Sequence, residues 1–264
     1  MDKKTPDRTI ILMYHQIIAD DVPESWVPND LADPRYGVRE GIFSEHLALF
    51  SRMGLPVIDL DSLLQCNRSD HPLSVVITFD DGYASDLLMA SKALLKAGLP
   101  ATFFLSTARM GQPGMMTKEQ AKELASLPKL KIGAHGKTHR FLTDLTDEEL
   151  GEELFEAKNS IHEWTGEKNI YLSAPGGRVN GNVRKKVMET GYRGLLTSNS
   201  GAYINGSDLF SIPRLPITQG TTEQKLQSLL DPDSLSFLLN RCSRILRRVV
   251  REVISSPIHQ KRNP

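Results

Sequence analysis

The sequence predicts an α/β fold made of parallel βαβ units, closed as a barrel or open as a doubly wound sheet. Apolar, β-branched runs of strand length alternate with amphipathic runs of helix length through most of the chain. The run SVVITF at residues 74–79 has the composition of a strand buried on both faces. No glycine-rich dinucleotide or phosphate-binding motif follows the first predicted strand, which disfavours a nucleotide-binding sheet.

Capping signals place the helix boundaries. Ser44 can cap the first helix, Thr117 and Gln120 resemble a capping box, and Thr146 with the acidic residues after it begins a long amphipathic helix. A glycine shortly after the last helical residue is a common stop signal. The predicted helices span residues 43–53, 83–97, 117–126, 146–164 and 182–189.

Strand positions follow from the short apolar runs between these helices. Pro213 and Pro216 lie in the last predicted strand, so we expect it at an edge of the sheet. Residues 17–41 predict a long loop, and Trp26 within it could form a wall of a binding cleft or pin the loop to the domain. The predicted strands span residues 9–14, 56–60, 74–79, 101–106, 130–134, 170–174, 194–197 and 210–217.

Length and charge limit the classes of function. The 264 residues suffice for one barrel-sized domain, and 32 basic residues balance 32 acidic ones. Binding to duplex DNA requires a basic surface, so we expect no nucleic-acid partner. Cys66 and Cys242 lie far apart without metal-type spacing, which is typical of a reducing compartment. Because no signal-peptide pattern or bilayer-spanning segment is evident either, we expect a cytoplasmic protein.

Two adjacent carboxylates end the central strand. Asp80 and Asp81 precede Gly82, and α/β proteins place their chemistry at the carboxyl ends of buried strands. Neighbouring carboxylates repel each other unless a cation or a shared proton relieves the repulsion. The structural alternative is a turn that caps the next helix, since Asp-Gly is a common turn pair.

Two histidines four residues apart provide a reason to prefer chemistry. His135 and His139 follow the strand at 130–134, where flanking glycines let both rings approach one point. Imidazole binds zinc and related divalent metals, and a carboxylate such as Asp81 is a common third ligand. Three protein ligands leave positions open for water and substrate, as in a catalytic centre. Asp80, adjacent but not a ligand, is then free to accept a proton from the attacking water.

The motifs TFDDG at residues 78–82 and His135-x-x-x-His139 together resemble those of the polysaccharide deacetylases, the NodB-homology or carbohydrate esterase family 4 proteins. The resemblance covers roughly residues 9–217 and implies a distorted (β/α)7-type barrel that removes N-acyl groups from sugars. It implies Asp80 as the catalytic base. It also implies that Asp81, His135 and His139 bind one divalent metal ion, zinc first, with cobalt or nickel as alternatives.

Two further segments resemble family motifs. LMYH at residues 12–15 is similar to the N-terminal motif of a branch with a permuted motif order, which includes poly-N-acetylglucosamine deacetylases. That resemblance implies that His15 is the general acid that protonates the leaving amine. APG at residues 174–176 lies where the family has a motif whose backbone N–H after the proline stabilises the oxyanion, which implies this role for Gly176.

The chain also departs from the family pattern. The arginine that usually orients the base is missing, since Ser173 and Ala174 occupy its neighbourhood; Arg178 and Arg214 are the two candidates to replace its charge. Gly176 replaces an aromatic residue, so we expect a more open wall on that side of the site.

The C-terminal stretch differs from the rest. We predict a deacetylase-like catalytic domain at residues 1–230 and a basic amphipathic helix with a tail at residues 231–264. The helix at 237–254 either packs its apolar stripe on the domain or contacts anionic lipid at the inner face of the membrane.

The sequence as a whole predicts a cytoplasmic, metal-dependent hydrolase of an N-acylated sugar. N-acetyl is the expected acyl group, and the sugar belongs to a glycan, a lipid-linked or a nucleotide-linked substrate. One alternative is a metal-dependent hydrolase of a small non-sugar amide or imide. A second is a non-catalytic carbohydrate-binding relative, against which the complete set of acidic and histidine side chains argues.

Overall fold

The computed structural model of the chain describes residues 8–22, 34–64, 72–168 and 170–231. Trp26, both cysteines and the helix predicted at 237–254 lie outside the described residues, so the division of the chain at residue 230 stays a prediction. Within the described residues, no helix combines the length and apolar character needed to cross a membrane.

Strands and helices alternate, as the sequence predicts, and eight of the described strands form one mostly parallel sheet in the order β10-β1-β4-β5-β6-β7-β8, with β9 antiparallel to β1. The strands are β1 (Arg8–Tyr14), β2 (Ile17–Ile18), β3 (Val38–Arg39), β4 (Leu73–Phe79), β5 (Ala101–Leu105), β6 (Leu130–Ala134), β7 (Leu172–Ser173), β8 (Leu195–Leu196), β9 (Tyr203–Ile204) and β10 (Leu215–Pro216). The helices are α1 (Glu40–Arg52), α2 (Ser91–Ala97), α3 (Lys118–Ser126), α4 (Asp147–Thr165), α5 (Gly181–Glu189) and α6 (Glu223–Leu230).

The segment at residues 212–217 closes the sheet into a barrel. Ile212 bridges to Leu196 of β8 on one side, and Leu215 pairs with Leu12 of β1 on the other. β10 is the last strand in the sheet order, as the prolines predict, but this edge is not open, because Ile212 of the same segment bridges β8. The two prolines are tolerated because the backbone donors at positions 212, 214 and 217 carry the hydrogen bonds to Leu195, Asn199 and Met13 instead.

Alternation along β4 sorts its side chains between two layers. Val75, Ile77 and Phe79 join the large apolar core beneath the helices. Val76 belongs to a smaller cluster with Phe104, on the inner side of the barrel. Because side chains alternate with a period of two, Thr78 and Asp80 continue the inner face, and the central strand delivers a carboxylate into the barrel mouth.

The capping box predicted at Thr117 is present, and the cap predicted at Thr146 is a second capping box. Thr117 accepts a hydrogen bond from Gln120 N at the start of α3, and Thr146 accepts one from Glu149 N at the start of α4. In each case the backbone N–H of the threonine donates a hydrogen bond to the side-chain oxygen of the residue three positions later. These pairs form as expected because they depend only on residues three apart.

Three local predictions differ from the structure. Helix α1 begins at Glu40 rather than at residue 43, and Ser44 lies inside it, so this serine is not the cap. The strand predicted at 56–60 reduces to a single bridge between Val57 and Val75. The helix predicted at 83–97 begins as a π-helical turn at Asp86–Ala90 and becomes α-helical in α2. Each boundary is set by packing, which local propensity does not describe.

Candidate active site

The site lies on the turn that follows β4. Asp80 N donates to the carbonyl of Tyr14 at 3.0 Å, which extends the pairing of β4 with β1 by one residue. Asp81 then has φ 82° and Gly82 has φ 88°. A left-handed backbone costs about 1–2 kcal/mol for a residue with a β-carbon, although aspartate tolerates it better than most. This turn separates the two carboxylates, so that each reaches a different set of partners.

Asp80 forms a bidentate ion pair with Arg214. Arg214 Nη1 donates to Oδ1 and Nη2 donates to Oδ2, both at 2.8 Å, and the two side chains are 1% and 2% exposed. The hydroxyl of Ser173 donates to Oδ2 at 3.0 Å, and Arg214 Nε donates to the carbonyl of Thr197 at 3.1 Å. Burial raises the pKa of Asp80, but Arg214 and His135 outweigh burial and leave that pKa lowered. Asp80 is therefore held ionised at neutral pH.

Asp81 faces the two histidines. Its Oδ1 lies 3.4 Å from Nε2 of His135 and 3.0 Å from Nε2 of His139, and one ligand atom from each of the three residues falls within 4.8 Å of the others. His135 Nδ1 lies 2.8 Å from the carbonyl oxygen of Ser173. A carbonyl can only accept, so Nδ1 of His135 carries a proton, and Nε2 is the ring nitrogen that faces Asp81.

The atoms of this cluster fit a divalent metal ion. Asp81 Oδ1 is buried and accepts no well-aligned hydrogen bond from the described residues. It lies 3.4 Å from Nε2 of His135, and a cation between these atoms would give the buried oxygen a partner. Imidazole nitrogens and a carboxylate oxygen are the donor set that zinc and related metals take, and the Ser173 carbonyl supplies the outer hydrogen bond that orients such a ligand.

His15 reaches the same region from the end of β1. Its ring lies 4.4 Å from that of Tyr36, between ring centroids, and its Nδ1 is buried without a hydrogen-bond partner among the described residues. Burial lowers the pKa of His15, and the nearby carboxylates of Asp81 and Asp80 oppose this effect without reversing it, so the pKa stays lowered. The structure thus brings His15 close to both aspartates, although they lie far apart in the sequence.

Gly176 lies beside an aromatic ring that another loop supplies. Gly176 has φ 62°, and a β-carbon there would lie 2.5 Å from Cε1 of Phe141. The expected opening of this wall does not occur, because the Phe141 ring occupies the space that a side chain at position 176 would need. Arg178 stacks its guanidinium 3.8 Å from the centre of that ring and lies 3.8 Å from Asp144. Of the two candidate arginines, only Arg214 contacts Asp80.

Two residues of the site had no role assigned from sequence. Ser173 binds both Asp80 and His135, and a signal existed, since it lies two residues after the buried Tyr171 in a predicted strand. Arg109 Nη1 lies 3.9 Å from Oδ2 of Asp81. It follows β5 in a short turn that carries no motif, so nothing local identifies it.

Fold and site together define a barrel hydrolase with a buried carboxylate–arginine pair beside an Asp-His-His cluster. Residues 67–195 match the family model described as polysaccharide deacetylase. Residues 67–195, about half of the chain, therefore form a polysaccharide deacetylase-type domain, and the chain is a hydrolase of non-peptide carbon–nitrogen bonds.

Relatives of known name or structure agree with this assignment. YxkH of Bacillus subtilis (strain 168) is 27% identical over 218 residues, which cover 81% of this chain and 73% of YxkH. A peptidoglycan-N-acetylglucosamine deacetylase of Bacillus cereus is 30% identical over 131 residues, 47% of this chain and 56% of the relative. The deacetylase PplD of Streptococcus pyogenes shares the fold with a TM-score of 0.76 and 22% identity, covering 86% of this chain and 100% of that structure.

Proposed function

We propose that this carbohydrate deacetylase is metal-dependent and removes an N-acyl group, N-acetyl in the first place, from a sugar in a glycan, lipid-linked or nucleotide-linked substrate. The observation that carries the proposal is the division of labour between adjacent aspartates. Asp80 is held ionised by Arg214, and Asp81 shares a cation-sized cluster with His135 and His139.

Asp81 Oδ1 and the Nε2 atoms of His135 and His139 would hold the metal ion, with zinc as the expected ion and cobalt or nickel as alternatives. Such an ion, when bound, polarises the acyl carbonyl and lowers the pKa of water. The protein's part is to keep these three donors in place. The carbonyl of Ser173 does so for His135, and the buried position of Asp81 does so for the carboxylate.

Asp80 is the proton acceptor in the proposed reaction. As the oxygen of a water molecule forms its bond to the acyl carbon, Asp80 takes the proton that the water loses. The hydrogen bonds from Arg214 and Ser173 hold the carboxylate in one orientation and keep it ionised before the reaction. The carbonyl oxygen becomes an oxyanion, to which the backbone N–H of Gly176 donates.

Bond cleavage needs a proton on the departing nitrogen. His15 donates it as the C–N bond breaks, which leaves a free carboxylic acid and an amino sugar. The carboxylates of Asp81 and Asp80 support this role, because they raise the pKa of His15 against the effect of burial. The name of the Bacillus cereus relative supports an N-acetylglucosamine unit as the first sugar to test.

Two parts of the proposal rest on sequence alone. The basic helix predicted at 237–254 and Trp26 lie outside the described residues, so the membrane contact and the substrate contact proposed for them stay predictions. The cytoplasmic location is likewise a proposal, and it rests on the cysteine usage.

The deciding experiment is metal content by mass spectrometry of the wild-type protein and His139→Ala, purified identically without chelator. We expect about one divalent ion per wild-type chain and loss of that ion in the variant. His162→Ala, at an exposed position of α4, is the matched control and should retain the metal. A wild-type protein that takes up no zinc, cobalt or nickel from an excess would overturn the metal-dependent mechanism.

Substrate class is tested separately with the metal-loaded protein. A panel of N-acetylhexosamines, N-formyl sugars and small cyclic amides or imides distinguishes a sugar deacetylase from a hydrolase of non-sugar amides. Release of acetate from N-acetylglucosamine oligomers is the expected result. Turnover restricted to cyclic amides or imides would remove the sugar from the proposal.

A further inference from the structure

A short turn after β5 connects the two halves of the metal cluster. Ser106 N donates to the carbonyl of Asp81 at 3.4 Å, and its hydroxyl donates to the carbonyl of His135 at 3.1 Å. Thr107 N donates to Gly136 O at 3.2 Å, and Ala108 N donates to the loop's next carbonyl at 2.7 Å. The turn is therefore tied both to the aspartate turn and to the histidine loop, and it ends at Arg109.

Arg109 reaches the oxygen of Asp81 that the histidines do not face. Its Nη1 lies 3.9 Å from Oδ2, whereas Oδ1 faces His135 and His139 at 3.4 and 3.0 Å. The side chain of Arg109 is 19% exposed and that of Asp81 is 4% exposed, so solvent screens this pair only weakly. The two oxygens of Asp81 thus have different surroundings: Oδ2 faces the guanidinium of Arg109, and Oδ1 faces the imidazole nitrogens.

Tyr83 completes the surroundings of Arg109. Burial raises the pKa of the Tyr83 hydroxyl; the nearby carboxylate of Asp81 also raises it and Arg109 lowers it. The hydroxyl therefore stays neutral and lies next to both charged groups. The Arg109 guanidinium therefore lies beside both the Tyr83 hydroxyl and the Asp81 carboxylate, and Asp81 is its ion-pair partner among the described residues.

We propose that Arg109 is a positioning residue. By forming an ion pair with Oδ2 of Asp81, it leaves only Oδ1 as a donor, so that Asp81 would bind a metal ion through one oxygen. This inference rests on the proposed function, because it concerns the same metal centre. With Oδ2 engaged, Asp81 offers a single donor atom and leaves one more coordination position for water or substrate. The positive charge of Arg109 also repels the metal cation. Arg109 therefore lowers the affinity for the metal and keeps one more coordination position open.

The test leaves the proposed ligands Asp81, His135 and His139 unchanged. Arg109→Gln removes the charge and frees Oδ2, and we expect cobalt(II) to bind about tenfold more tightly, an order-of-magnitude figure for removing a cation a few ångströms from the metal. We also expect weaker visible absorption of the bound cobalt, because a bidentate carboxylate raises the coordination number. Arg109→Lys restores the charge without the planar fork and should return the affinity toward that of the wild type.

The matched control is Arg140→Gln. Arg140 follows His139 directly but is exposed and pairs with Glu149 at 3.1 Å, so neither affinity nor spectrum should change. If Arg109→Gln does not fold, as judged by circular dichroism, Arg109→Met is measured by the same criteria. A cobalt affinity and an absorption spectrum equal to those of the wild type would overturn the inference. If the KM of that variant were also raised, Arg109 would be a substrate contact instead. A wild-type protein without bound cobalt would instead count against the proposed function.

Discussion

Arg214 binds Asp80 through both carboxylate oxygens, although 134 residues separate the two along the chain. The arginine comes from the segment that closes the barrel, and the aspartate comes from the central strand. The pair is almost fully buried, so it keeps the base ionised and links the closing segment to the central strand. The base therefore needs no arginine next to Pro175 to orient it, because Arg214 of the closing segment contacts both of its carboxylate oxygens.

Replacing this arginine is expected to cost stability as well as activity. Arg214→Met leaves Asp80 as an uncompensated buried charge, which typically costs about 3–5 kcal/mol of unfolding free energy. Urea unfolding measures that loss. Arg178→Met is the control, because this half-exposed side chain stacks on Phe141 and does not contact the base. Equal stability of Arg214→Met and the wild type would contradict a structural role for the pair.

Replacing the base is expected to separate catalysis from metal binding. Asp80→Asn keeps the shape of the side chain but cannot accept the proton, so acyl release should fall by about 10²–10⁴-fold. Metal content should stay at the wild-type level, because Asp80 is not part of the Asp-His-His cluster. Full activity of this variant would remove Asp80 as the base, and loss of metal would show that the two aspartates are not independent.

A side chain at position 176 is expected to disturb the site. Gly176→Ala places a β-carbon 2.5 Å from the Phe141 ring and forces alanine into a left-handed backbone, at a cost of about 1–2 kcal/mol. Gly181→Ala, where no atom lies within 4 Å, is the matched control. We expect Gly176→Ala to lower the rate of acyl release, and adding Phe141→Ala should restore part of that rate. Strict additivity of the two changes in a double-mutant cycle would show that the residues do not interact.

Asp86 is expected to make stability depend on pH. Both its carboxylate oxygens are buried without a hydrogen-bond partner among the described residues. Burial, then Asp81 and Asp80, raises the pKa of Asp86 well above the usual range. The folded state therefore keeps a proton that the unfolded state releases at about pH 3.9. The contribution is full below that pH and is lost as the pH rises through the folded pKa.

Asp86→Asn removes this titration. We expect its unfolding free energy to decline less than that of the wild type between acidic and alkaline pH, measured by urea unfolding at several pH values. The variant should also be relatively more stable at the alkaline end. Parallel stability curves for the two proteins would show that Asp86 is already neutralised in another way.

The sequence by itself determined what depends on residues close together in the chain. The two capping boxes, the strand that ends at Asp80 and Asp81, and the histidine pair are set by local spacing, and the structure shows all of them. The composition of a segment predicts that it is a buried strand, and the chain must turn at the carboxyl end of that strand. The candidate metal cluster could therefore be proposed before the fold was known.

Only the tertiary structure decided which distant side chains complete the site. It selected Arg214 over Arg178, filled the space beside Gly176 with Phe141, and placed Arg109 on the far oxygen of Asp81. It also joined the 212–217 segment, predicted only as an edge, to β8 as well as to β1, so that the barrel closes. These relationships depend on strand order and on how the barrel closes, and no local pattern encodes either, because packing brings together residues that the chain keeps far apart.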